Sequence, residues 1–187
     1  KITLDLYIFS VVYSYMTKGK EMNKLVKHFN DTVRNDLWEK NGKDYKETFH
    51  IALGAIKSAV DDNASEKLLN QMMDRLVIGY YGIGKQGGLT SGIETKATLN
   101  LKYNQYTRDH LFGATEIGKH IRKVFEENNW DRNYMVNAWL YENLWLWMTI
   151  KVTKTEHKKD NIIRNQHTIE EKLELKHYIN ISEIILK

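Results

Sequence analysis

The sequence predicts an α+β protein, mostly helical, with a small strand–strand–helix core in its C-terminal half. Three observations carry that prediction. Apolar residues recur at helical spacing from Val26 to Tyr80. Two short extended stretches, ending at Asp109-His110 and Val152-Thr153, flank a helical region. The second runs directly into a helix-start signature, Thr153-Lys154-Thr155-Glu156.

The elements follow in order. Residues 1–21 precede Met22, and the purine-rich coding of Lys18-Gly19-Lys20-Glu21 predicts upstream read-through, with a natural start at Met22. A helical N-terminal unit then covers residues 22–81. Its first helix carries Val26, Phe29, Val33 and Leu37 on one face, and its second, from Tyr45 to Val60, carries Phe49, Leu53 and Ile56. The third begins near Asn63, whose side chain caps while Glu66 reaches back, and shows Leu69, Met72, Met73, Leu76 and Tyr80 to the core. Short polar turns join the three.

Residues 82–94 read as a glycine-rich loop. The run Gly79-Tyr80-Tyr81-Gly82-Ile83-Gly84-Lys85-Gln86 falls one residue short of a phosphate-binding loop. Gln86 stands where Ser or Thr would hold magnesium, and Gly87-Gly88 follow where a helix should start. A hinge fits these residues better than a nucleotide site.

Residues 95–187 form the α+β unit. Thr98 to Leu111 is predicted extended and Thr115 to Glu127 helical, through Ile117, Ile121, Val124 and Phe125. Asp131 caps a helix that runs to Trp147, apolar nearly all round and therefore buried. Thr149 to Val152 is a strand, followed by a helix to about Gln166. Thr168 and Glu171 repeat the capping pattern, and Tyr178 to Leu186 fits either a strand or a last helical turn.

Composition bounds the function. With no cysteine, the chain has no disulfide, thiolate zinc site or cysteine nucleophile. A net charge of +4 permits a polyanionic partner. The surplus concentrates in residues 96–123, where Lys96, Lys102, Arg108, Lys119, Arg122 and Lys123 face only Asp109 and Glu116. No apolar run approaches the roughly 18–20 residues of a membrane span. No membrane partner is expected, and the expected location is cytoplasmic.

The chemistry-bearing residues lie at the ends of the two extended stretches. Asp109 supplies a hard oxygen ligand suited to Mg2+ or Mn2+. His110 beside it can take a proton from water near neutral pH. Counting from Thr153 as cap, His157 occupies the fourth helical position, with Asn161 four residues on and Arg164 beyond it on the same face. An acid and two imidazoles in a basic setting are the minimum equipment for metal-assisted phosphodiester hydrolysis.

Asp-His at a strand end, followed by a strand, a turn and a helix opening with His, resembles the HNH (ββα-metal) endonuclease family. The Thr-Arg-Asp-His and Val-Thr-Lys-Thr-Glu-His segments are similar to small HNH-like proteins of tailed phages. The resemblance covers roughly residues 105–167. It implies a divalent-metal-dependent DNA endonuclease, in the host cytoplasm if phage-encoded, with His110 as general base and Asp109, His157 and Asn161 as metal ligands. Arg108, Lys119, Arg122, Lys158 and Arg164 would contact phosphates. The family's middle asparagine has no counterpart at Met148; Asn143 is the nearest. The alternatives are a non-catalytic nucleic-acid-binding or regulatory protein on the same scaffold, and a helical partner-binding domain whose charge serves solubility.

Overall fold

The computed structural model describes residues 24–84, 90–163 and 184–186. The expected read-through segment 1–21, the Thr168–Glu171 capping pattern and Arg164 lie outside them.

The first helix, α1, is continuous where two helices were expected. It runs through Lys24–Phe29, a π-helical stretch Asn30–Arg34, and Asn35–Asp61. The polar run Glu39 to Asp44 continues this helix and forms no turn. Leu37, Tyr45, Phe49, Leu53 and Ile56 continue one buried stripe straight across it. Gly42 is buried beneath Trp38, whose ring carbon would lie 3.0 Å from a Cβ at that position.

The second helix, α2, spans Glu66–Gly84. Asn63 does not cap it: its backbone is left-handed, at φ 54°, and it serves the turn. Ser65 is the cap, its hydroxyl accepting the Leu68 N–H at 3.3 Å. The glycine-rich segment is shorter than expected, because Gly82 and Gly84 continue α2 and residues 90–94 already belong to a strand.

That strand, β1, covers Thr90–Thr95. Two 3-10 turns, Lys96–Thr98 and Tyr103–Gln105, interrupt the extended stretch predicted from Thr98 and leave Tyr106–His110 as its strand. Strand β2 is Tyr106–His110, and helix α3 is Ala114–Glu127. Helix α4 joins Arg132–Tyr134, a π-helical Met135–Trp139 and Leu140–Glu142. Asp131 caps it as predicted, accepting the Asn133 and Tyr134 N–H groups at 2.8 and 3.1 Å. A buried 3-10 turn, Leu144–Trp147, leads to strand β3 at Thr149–Thr153, then helix α5 at Lys154–Ile163 and strand β4 at Ile184–Leu186.

The sheet order is β2-β3-β1-β4. Strand β3 is antiparallel to β2 and parallel to β1, and β4 is antiparallel to β1. The architecture is α+β, mostly helical, and the described strands form one small mixed sheet.

One core joins the helical half to the sheet. Phe49 packs against Tyr80 and stacks on Trp139 at 6.0 Å, and Tyr80 meets Trp147 at 5.1 Å. Such aromatic pairs add about 0.5–1.5 kcal/mol each beyond their buried area. Helices α2 and α3 approach closely, since a Cβ on Gly118 would lie 3.1 Å from the Met73 Cβ. Arg122 ties the same pair together, its guanidinium bridging Glu66 at 2.6 and 2.7 Å and its Nε meeting Glu126 at 2.8 Å. Among the described residues, no helix is long and apolar enough to cross a membrane.

Candidate functional site at the β2–β3–α5 junction

Strand β3 passes into α5 without a loop, and Thr153 and Glu156 determine how. The Thr153 N–H donates to Glu156 Oε2 at 2.7 Å, and the Glu156 N–H donates to Thr153 Oγ1 at 3.2 Å. This reciprocal pair satisfies two donors that a helix start leaves open. It also fixes the azimuth of the first turn. Glu156 is buried and takes a further hydrogen bond from Thr95 Oγ1 on β1 at 2.9 Å.

With Glu156 held on the β1 side of β3, the next residue is turned to the β2 side. There His157 Nδ1 lies 3.2 Å from Asp109 Oδ1. Asp109 is buried, at 2% exposure of its side chain, while 36% of the His157 side chain is exposed. Strands β2 and β3 pair in antiparallel register, and α5 packs on both. The two ends of chain expected to meet do meet.

His110 is placed differently. Successive strand side chains point to opposite faces. Asp109 pairs with Ile150 and shares the face covered by α5, whereas His110 pairs with Thr149 and follows Arg108 and Tyr106 on the other face. The pleat thus separates the expected base from the expected ligands.

Asn161 lies in α5, one turn beyond His157, but its side chain is outside the description, as is Arg164. Of the expected phosphate contacts, Arg108, Lys119 and Lys158 are exposed. Arg122 is committed to Glu66 and Glu126 with 19% of its side chain exposed. Its charge holds two helices together and is not offered to a phosphate. The paired Glu66 carboxylate lowers the guanidinium's readiness to lose its proton still further, and Arg122 in turn holds the Glu66 carboxyl below its ordinary value.

The donor set can be tested against a divalent ion. Two donors each about 2.1 Å from one ion stand about 3.0 Å apart when adjacent in octahedral geometry. The 3.2 Å between Asp109 Oδ1 and His157 Nδ1 matches that spacing. A carboxylate oxygen and an imidazole nitrogen suit manganese, and the oxygen suits magnesium. Among the described residues, no group of three or more His, Asp or Glu is arranged to hold a metal.

A second polar cluster, on the outer face, had no signal in the sequence. Buried Glu94 receives Lys151 Nζ at 3.2 Å, and the same ammonium donates to the Thr98 carbonyl at 3.1 Å and lies 4.3 Å from the centre of the Tyr106 ring. Comparison with known proteins returned no match to any family model, characterised protein or solved structure.

Proposed function

We propose that the protein is a divalent-metal-dependent endonuclease of HNH-like type, hydrolysing DNA phosphodiester bonds at the β2–β3–α5 junction. The observation that carries this reading is the approach of Asp109 to His157 at 3.2 Å, from segments far apart in sequence. Asp109 and His157 would hold the cation, with Asn161 as the third ligand that the resemblance implies. Bound Mg2+ or Mn2+ would polarise the scissile phosphate and stabilise charge on the leaving oxygen. Burial of Asp109 keeps its carboxylate in one orientation, and the capping pair orients His157. Exposed Arg108, Lys119 and Lys158 would draw the backbone in, giving affinity and salt dependence without sequence preference. His110 is the proton acceptor of this reading. Strand β2 lies at an edge of the sheet, with Asp109 on one face and His110 on the other.

The position of His110 on the opposite face favours a second reading, a non-catalytic nucleic-acid-binding protein on the same scaffold. Plasmid nicking in Mg2+ and Mn2+ separates the two. The first reading expects nicking that is lost in Asp109→Ala and in His157→Ala, and at least a hundred-fold slowed in His110→Ala. Nicking retained in Asp109→Ala refutes it, and DNA binding without cleavage in any divalent metal establishes the second.

A further inference from the structure

The stretch 95–108, which leads into β2, contains Lys96, Lys102 and Arg108 and no acidic residue. Among the described residues it also holds an openly exposed aromatic side chain: Tyr103 is 84% exposed. The Tyr103 ring meets Tyr106 edge-to-face at 5.9 Å, and Lys151 sits over the Tyr106 ring at 4.3 Å. Glu94, which pairs with Lys151 beside this face, is buried. Asp109 points through the sheet to the α5 side. The outer surface of β2 and its preceding 3-10 turn therefore presents positive charge and an open ring, with no exposed carboxylate in the stretch.

We infer that this outer surface binds single-stranded nucleic acid, with Tyr103 as a base-stacking platform and Lys102 and Arg108 as backbone contacts. A single strand offers what the surface lacks: an anionic backbone for the two cations and unpaired base faces for the ring. A duplex keeps its base faces stacked inside, so it would engage the cations and leave Tyr103 unused. The edge-to-face contact with Tyr106 braces the Tyr103 ring while leaving most of its area to solvent. Strand β2 rises about 3.3 Å per residue, so Tyr106 stands roughly 10 Å from Asp109 along the strand. A single strand on this track would run toward the edge where the proposed hydrolytic pair lies. The inference rests on the nucleic-acid partner of the proposed function, but not on hydrolysis.

The test is fluorescence anisotropy with a labelled oligo-dT, an oligo-rU and a duplex of equal length, in EDTA so that cleavage plays no part. Both single strands are expected to bind more tightly than the duplex. Tyr103→Ala should weaken single-strand binding roughly ten-fold or more while leaving duplex binding unchanged. Lys102→Ala and Arg108→Ala should each flatten the salt dependence by about 0.7 in log–log slope. Tyr103 is so exposed that its removal leaves the fold intact, which circular dichroism checks. Equal or tighter binding of the duplex, no binding of any oligonucleotide, or indifference to Tyr103→Ala overturns the inference. Single-strand binding with no nicking activity would sink the nuclease reading alone, leaving this surface in place.

Discussion

Removing the Glu156 carboxylate should damage this protein more than any other single change at the β3–α5 junction. Glu156 is buried and accepts two hydrogen bonds, from Thr153 N at 2.7 Å and Thr95 Oγ1 at 2.9 Å. Hydrogen bonds to a charged group contribute about 1.5–3 kcal/mol each, and truncation leaves their donors unsatisfied. Glu156→Ala should therefore cost about 3 kcal/mol. In a domain of this size each kcal/mol lowers Tm by about 2–4 °C, so a fall of about 6–12 °C is expected. Thr153→Ala loses only the hydroxyl acceptor of the cap, about 1 kcal/mol. Thermal unfolding followed by circular dichroism gives both values. A double-mutant cycle of Glu156→Ala with Thr95→Val should show a coupling of about 1 kcal/mol, since the two share one bond. If Glu156→Ala lowers Tm no more than Thr153→Ala does, the carboxylate does not fasten α5 to β1, and the account of how His157 is aimed fails.

Other consequences of the packing can be measured directly. Gly118→Ala should destabilise by about 1 kcal/mol, because its Cβ would lie 3.1 Å from the Met73 Cβ and 3.4 Å from the Met73 backbone carbon. Gly79→Ala should stabilise by about 0.5–1 kcal/mol, since that helical position is exposed with nothing within 4 Å; urea titration of the two variants should give opposite signs. The Arg122 guanidinium depresses the Glu66 carboxyl below its ordinary value, so its contribution is present above the usual glutamate range and lost as pH falls through the lowered value. The stability difference between wild type and Glu66→Gln should accordingly shrink between pH 5.5 and pH 3 in urea titrations at each pH, and a constant difference would contradict the pairing. Tyr80 is buried, its hydroxyl donates to the Tyr45 carbonyl, and burial pushes its ionisation upward. Tyr80→Phe should cost about 1 kcal/mol by urea unfolding.

What the sequence revealed was what is local. The Thr153/Glu156 pair and the Asp131 cap each span four residues, and both form as their spacing predicts. The buried stripe of α3 and the strand β3 were legible for the same reason. Where polar residues were taken for punctuation, the reading failed. Glu39 to Asp44 resemble a turn, yet they lie within a helix that no proline interrupts. Asn63 and Ser65 compete for one capping role, and only the left-handed backbone at Asn63 decides between them.

Strand β1 was hidden because Thr90-Ser91-Gly92 has loop composition and its partner β3 lies far along the chain. Its parallel pairing with β3 has no local signature. At the candidate site, the meeting of Asp109 with His157 was anticipated from two strand ends and a cap. That His110 faces the other way follows from the pleat alone, since neighbouring residues of one strand alternate faces and Asp109 and His110 both lie in β2. The commitment of Arg122 to Glu66 had no such local signal. Those residues are brought together by the crossing of two helices.

The most direct test of the account is calorimetric titration of Mn2+ into the intact chain, its Asp109→Ala variant and its His157→Ala variant. The account predicts one ion bound per chain by the wild type, and binding weakened at least ten-fold in each variant while circular dichroism remains unchanged. Absence of binding in the wild type, or equal binding in all three, would contradict it.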